Sequence, residues 1–394
     1  MYSFAKSVMV FILAGGKGTR LYPLTKFRVK PAVPFLGVYR IIDFVLSNAV
    51  NSGLRKIVLL TQYLSLSLDR HIRIAWDLFK YDVDGYIYSL PAQHRYGEKW
   101  YEGTADAVYQ NIYTLQLERP EYLLILSGDH IYKMDYKNLF EFHKKSESDF
   151  TLVALLYPAR MSSRFGVLKV NKRGRVLSFH EKPEKPPEFP GKPGYSLVNA
   201  GIYLAKTEVI VQALIEDHRN AYSSHDFGKD VIPMLISQGK KVCAYVFDGY
   251  WRDIGTLDSY YQTSMDFLSS NPPIDLYDGE FPIRTYHPSL PPAYISRNSM
   301  VENSFISNGC RIEGAKVKNS IISPGVIVKK GAIIEDSIVF NDVLIGDSVY
   351  IKGCIIDKNN RIEDKNFMEN FKRYGVEITQ EGVIVMPKEW RRDA

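Results

Sequence analysis

Two aspartates, a run of glycines and a few cations carry the chemistry this sequence can offer. Asp129 follows an apolar stretch, Tyr122–Ser127, in the string Ser127-Gly128-Asp129-His130. Asp253 stands in GYWRDIGT (249–256), again after a strand-like run and beside a glycine. A carboxylate at a strand's carboxyl end can ligate Mg2+, a hard cation that takes oxygen ligands and keeps waters and substrate phosphates. One such Asp is more often a turn former or a helix cap. Two, distant in sequence and alike in setting, are what a metal-assisted phosphoryl-group transfer needs. His130 reads as structural.

The cations follow a glycine loop. Val8–Leu13 is an unbroken apolar run rich in β-branched residues, which predicts a strand buried on both faces. Gly15, Gly16 and Gly18 come next, then Arg20, Lys26, Arg28 and Lys30. Glycines let the backbone approach a ligand closely, so amide N–H groups and cationic heads can share a polyphosphate's charge. A strand end with a solvated basic loop would use the same residue types. Two phosphate motifs are excluded. Gly15–Thr19 lacks the P-loop spacing, and Leu21 stands where a dinucleotide fingerprint needs its third glycine.

The longer signature is L-A-G-G-x-G-T-R-L-x-P-L-T followed by K-P, over Leu13–Pro31. It resembles the nucleotidyltransferases that join a nucleoside triphosphate to a sugar 1-phosphate. The continuation KPAVPFLGVYRIIDFVLSN (30–48) and the string EGTADAVYQN (102–111) resemble, more narrowly, the glucose-1-phosphate adenylyltransferases, or ADP-glucose pyrophosphorylases. That resemblance implies a Rossmann-like α/β nucleotidyltransferase domain with a mostly parallel sheet, then a left-handed parallel β-helix. It also implies the reaction of ATP with glucose 1-phosphate to give ADP-glucose and pyrophosphate, the activating step of glycogen or starch-like glucan synthesis.

Roles follow from the same resemblance. Arg20, Lys30 and Asp129 would be catalytic, with Asp129 and Asp253 holding Mg2+. Leu13, Ala14, Gly15, Gly16, Gly103 and Thr104 would bind the nucleotide, and Gln93, in LPAQ, would read its base. Tyr101, Gly166, Glu181, Lys182 and Asn199 would hold glucose 1-phosphate. Lys182 suits its phosphate and Glu181 its hydroxyls, although an exposed charge pair before a Pro-rich loop (183–193) would look the same. Gln62 and Trp100 match positions linked to regulatory communication. Thr104 is a candidate N-cap, and Asp226, in YSSHDFGKDVIP, is read as an ordinary helix cap. Two positions depart from the family: Asn199 replaces a usual serine, and Phe27 a usual basic residue in a region tied to effectors.

These residues need elements to position them. A chain of 394 residues predicts two domains. Apolar runs at 8–13, 56–61, 122–127, 150–156, 167–170, 201–205 and 241–246 alternate with helical patterns at 39–52, 64–76, 105–116 and 137–145, which argues an α/β sheet with ligands beyond the strands' carboxyl ends. We expect a catalytic domain over 1–268 and a Pro-, Ser- and Tyr-rich linker over 269–295. Residues 296–394 would form the β-helix. There β-branched residues recur every five or six positions from Val301 to Ile362, a hexapeptide rhythm with one aliphatic side chain per flat side. Glu377–Trp390 reads as strands that finish or cap it. Hexapeptide helices also serve acyltransferases with a histidine base, but all eight histidines lie at or before His287, so the role expected is docking and oligomerisation.

The composition fits that reading. It is 45% apolar and 24% charged, with no apolar run near the roughly 20 residues needed to span a bilayer. With no cleavage-site pattern after the first apolar run, a cytoplasmic location is expected, without a membrane partner. Three scattered cysteines exclude a disulfide framework or zinc cluster, and a charge of +6 without a dense basic block leaves nucleic-acid binding unsupported. The resemblance implies small anionic effectors and a homotetramer, or a hetero-oligomer with a second subunit. Rival readings are a related enzyme using another nucleotide or sugar 1-phosphate, and a non-catalytic regulatory subunit.

Overall fold

Alternating side chains of the first strand bury against two different layers. Val8, Val10 and Ile12 pack on the helix Ile41–Asn51, while Met9 and Phe11 face Ala105, Val108 and the helix Thr207–Arg219. That is why this strand is apolar throughout rather than alternating. The computed structural model describes residues 2–79, 84–93 and 100–388. It places Val8–Leu13 inside a nine-stranded sheet, between the parallel strands Lys56–Thr61 and Tyr122–Ser127. Tyr86–Pro91 extends the parallel side, and the long strand Tyr195–Lys206 pairs antiparallel with Tyr122–Ser127 on the other. Because the chain leaves Val8–Leu13 for one neighbour and returns on its opposite side, a crevice opens at the carboxyl end of that strand. The glycine loop lies there.

Three of the expected strands, 8–13, 56–61 and 122–127, have the boundaries read from sequence. Others differ for local reasons. The helix expected over 39–52 starts at Ile41, because Tyr39–Arg40 pair with Pro34–Phe35 and Arg40 becomes the N-cap. The helix expected over 105–116 is two, Thr104–Tyr109 and Ile112–Glu118. Asn111 breaks it by donating its side-chain amide to the Ala107 carbonyl, taking the place of a backbone bond. Strands Tyr86–Pro91 and Val176–Glu181 carry too many polar or half-exposed positions to register as apolar runs.

Beyond residue 290 the chain winds into a parallel β-helix of two- and three-residue strands on three flat sides. Ile312, Val328, Ile345 and Ile362 stack on one side, Val317, Ile334 and Ile351 on the second, and Ile322, Val339 and Ile356 on the third. All are buried. One corner is built from Asn303, Asn319, Asp336 and Gly353, each with positive φ, a conformation Asn, Asp and Gly tolerate best. Their amides form a ladder, Asn303 Nδ2 donating to Asn319 at 2.9 Å and Asn319 Nδ2 to Asp336 at 3.2 Å. The segment Ile384–Met386 adds one more rung beside Cys354–Ile356; Trp390 lies outside the described residues.

The two lobes share a core in which Phe35, Tyr260 and Phe267 meet Ile321, Phe340 and Val385. A buried ion pair, Arg28 to Asp357 at 2.9 Å, crosses the same seam. The connecting segment is fastened to the first lobe. Asn51 Nδ2 donates to the Pro282 carbonyl (2.8 Å), Arg284 N to Ser47 Oγ (2.8 Å), and Thr285 Oγ1 to Asp43 Oδ2 (2.7 Å). Among the described residues no helix is long and apolar enough to cross a membrane.

Candidate active site

Lys30 follows the glycine loop and enters the protein interior. Its Nζ lies 2.6 Å from Asp129 Oδ2 and 3.2 Å from Asp253 Oδ1. Asp129 sits just past the strand Tyr122–Ser127, in a turn whose Gly128 N–H donates to the Leu13 carbonyl. Asp253 ends the short strand Trp251–Asp253, which pairs antiparallel with His130–Tyr132. Two sequence-distant carboxylates thus converge on one cation. Burial opposes ionisation of Asp129, but the Lys30 ammonium, with His130, outweighs it and holds the carboxyl down at about 2. Burial likewise lowers Lys30, and the Asp129 and Asp253 charges overcome it, keeping the ammonium above its usual value.

Lys30 and Asp129 line a cavity of about 620 Å3, with Asp253 just behind them. Leu13, Ala14, Gly15, Gly16 and Arg20 line one side, and Tyr101, Gly103 and Thr104 the other. Arg20 and Asp253 close together on Gly255. Gly103 is required for space: a Cβ there would fall 2.1 Å from the His225 carbonyl oxygen, which accepts from Ala105 N. Gly103, not Thr104, is the N-cap of the following helix. The Thr104 hydroxyl is used elsewhere, donating to Asp226 Oδ2 (2.9 Å) and accepting from Phe227 N (3.0 Å).

The comparisons with known proteins bear on this arrangement. Residues 9–270 match the nucleotidyl transferase family, and residues 291–386 match the GlmU-like C-terminal hexapeptide family. The chain is 48% identical to glucose-1-phosphate adenylyltransferase 2 of Vibrio vulnificus strain YJ016, over 98% of this chain and all of the relative. It is 42% identical to the glucose-1-phosphate adenylyltransferase of Thiobacillus denitrificans, over 97% of this chain and 90% of that one. The enzyme of Hydrogenovibrio crunogenus is also 42% identical, with 97% and 94% covered. The chain belongs to the glucose-1-phosphate adenylyltransferase family.

In this adenylyltransferase Tyr101, expected at the sugar phosphate, lines the cavity itself, whereas Gly166, Glu181 and Lys182 form a second cluster beside it. Glu181 is opposite Gly166 across an antiparallel pair, and Lys182 Nζ lies 3.3 Å from Glu181 Oε1. Asn199 donates to the Tyr203 hydroxyl at 2.8 Å. Asp226, read as a helix cap, does cap the next helical turn through Gly228 N and Lys229 N. It also lines the glycine-lined cavity, and Gly228 packs against the Glu181 carboxylate. One short segment therefore joins the two clusters. Sequence reading missed this second position because a cap and a site residue use the same Asp.

Gln62 ties the glycine loop to the Tyr101 turn. Its Nε2 donates to the Gly15 carbonyl (3.1 Å), and its Oε1 accepts from Tyr101 N (2.9 Å). Tyr101 Oη accepts from Asn111 Nδ2. Two expected residues are not brought in. Gln93 is exposed, donates its amide to the Pro91 carbonyl at 2.9 Å, and does not line the cavity. Trp100 is exposed and stands outside it too.

Proposed function

We propose that this adenylyltransferase transfers the adenylyl group of ATP to α-D-glucose 1-phosphate, forming ADP-glucose, the glucosyl donor for glycogen or a starch-like glucan. The observation that carries the reading is the Lys30 ammonium buried between Asp129 and Asp253 at the wall of a glycine-lined cavity. A phosphate oxygen of glucose 1-phosphate attacks the α-phosphorus of ATP. The bond from that phosphorus to the bridging oxygen breaks, and pyrophosphate leaves in line. The nucleophile is already ionised at neutral pH, so no general base is needed and catalysis rests on positioning and charge.

Lys30 and Arg20 would neutralise the triphosphate and the leaving pyrophosphate, with Gly15 and Gly16 offering backbone donors. Tyr101, Gly166, Glu181, Lys182 and Asn199 would place the sugar phosphate, and Gly103 and Thr104 the nucleotide. Asp129 and Asp253 fit a divalent ion, since both already face one cation, and Mg2+ bound there would supply further positive charge to the phosphates.

We divide the chain into a catalytic domain over 1–268, a linker to 295 and a β-helix for oligomerisation and regulation. We place it in the cytoplasm as a homotetramer controlled by small anions. A cavity of about 770 Å3 between the lobes supports the last point, for Arg28, Arg40, Arg70, Lys358 and Lys388 line it. Phe27 lines it as well. The test is pyrophosphate release from glucose 1-phosphate and Mg2+ with ATP, UTP, dTTP and GTP in parallel. Turnover with ATP alone is expected. Preference for another nucleotide would overturn the substrate, and no turnover with any would favour a regulatory subunit.

A further inference from the structure

Beside the two aspartates stands an imidazole that the proposed transfer does not use. His130 lies directly opposite Asp253 in the short antiparallel pair. Opposed residues in such a pair present their side chains on the same face. His130 Nε2 is accordingly 3.9 Å from Asp253 Oδ1, and it is 3.5 Å from Asp129 Oδ1. Lys30 holds the other Asp129 oxygen, so the one nearer the imidazole is turned toward His130. One ligand atom from each of the three residues lies within 4.8 Å of the others. Ligands about 2.1 Å from a shared ion stand about 3.0 to 4.2 Å apart. Both imidazole distances fall in that range.

The ring has a fitted seat. Trp251 meets it edge-on, with ring centroids 4.8 Å apart. On another side Gly201, at φ +68°, leaves room that a side chain would take: a Cβ would lie 3.1 Å from His130 Cε1. Nδ1 is buried and has no hydrogen-bond partner among the described residues. Packing, rather than a hydrogen bond, therefore sets the ring's orientation, and it sets Nε2 toward the carboxylates. With its proton on Nδ1 the ring presents a lone pair at Nε2 to both carboxylates, an arrangement that a cation between them stabilises.

We propose that His130 is a third protein ligand, through Nε2, to the divalent ion held by Asp129 and Asp253. The nitrogen donor shifts the site toward Mn2+ and other transition ions relative to a site of carboxylates alone, because Mg2+ prefers oxygen and the later ions bind imidazole more strongly. This rests on the two-aspartate metal site proposed above.

The test uses the full-length protein with Mn2+, alone and with pyrophosphate, which brings phosphate oxygens but no nitrogen. Pulsed electron paramagnetic resonance of the bound Mn2+ should show coupling to a directly ligated 14N, lost in His130→Gln. Mn2+ affinity should fall about tenfold in that variant, and Mg2+ affinity, measured by displacement, less than about threefold. Bound Mn2+ without nitrogen coupling in the native protein overturns the proposal and needs no variant to fold. Asp129→Asn separates the two layers of the argument. If it leaves Mn2+ binding unchanged, the metal site itself is wrong. If it abolishes binding while His130→Gln changes nothing, only the imidazole ligand is wrong.

Discussion

The two lobes of this chain solve the same problem at different sequence distances. In the β-helix, up to the last rung, residues that touch across neighbouring coils are 16 or 17 positions apart, as in the Asn303, Asn319 and Asp336 ladder. In the first lobe, Lys30 reaches carboxylates 99 and 223 positions away. A stack of near neighbours can be altered one rung at a time, with effects that stay local. The Lys30 site exists only when the strand order of the whole sheet is in place. Stability and catalysis should therefore separate by lobe.

The largest effect should come from Lys30→Ala, which leaves two carboxylates facing each other at the phosphate wall. We expect kcat to fall about a hundred- to a thousandfold, with a smaller change in KM for ATP, read from pyrophosphate release. The seam should answer next, in stability. Arg28→Leu strands the buried Asp357 carboxylate and should cost about 3–5 kcal/mol in denaturant unfolding. Replacing both partners by Leu should recover much of it; no recovery would mean that the two charges are not coupled.

Within the β-helix, Ile345→Ala should cost about 2–5 kcal/mol by opening a cavity between rungs. Its kcat should stay within about twofold of the native value, and a larger drop would break the separation between the lobes. A titration gives the next effect. Burial, with the nearby Lys206 ammonium, pushes His143 down to about 4 from 6.5. Between those values the unfolded chain binds a proton that the folded chain refuses. Stability present at pH 7 should then decline as pH falls from about 6.5 toward 4, by about 1–3 kcal/mol. His143→Gln should lose that acid sensitivity, measured from unfolding midpoints at pH 7 and 5.

The smallest effect concerns the cavity between the lobes. Burial, with Arg40 and Arg28 close by, pushes Lys358 down to about 7. An anion bound beside it favours the ammonium, so binding takes up a proton above that pH. Sulfate, whose charge is constant here, should bind a few-fold more weakly at pH 8.5 than at 6.5 in calorimetry, and Lys358→Met should flatten that slope.

Legibility in the sequence followed the same division. The apolar steps from Ile312 to Ile362 all point into the β-helix, because a repeat states its packing at every turn. The strand 8–13 was equally plain, since burial on both faces leaves no polar position to confuse. Tyr86–Pro91 was not, because as the outermost strand of the sheet it is only half-covered. At the site, the glycines and both aspartates stood out through their place after strands. Their meeting on Lys30 did not, because it depends on sheet order and on the His130–Asp253 pairing. The break at Asn111 and the Thr104 bond to Asp226 were hidden for a simpler reason. A side chain's choice between competing backbone and side-chain partners is not a pattern of residue types.

The fastening of residues 282–285 along the helix Ile41–Asn51 bears on how genes of this kind can be recombined. A chimera spliced at 269 would give the first lobe a foreign strap, and the Asp43 carboxylate would keep its bonds from His71, Trp76 and Arg40 N but lose the one that Thr285 donates to Oδ2. A junction after 287 carries the strap with the lobe it grips. The natural unit of exchange is thus longer than the catalytic sheet and ends where the first coil of the helix begins.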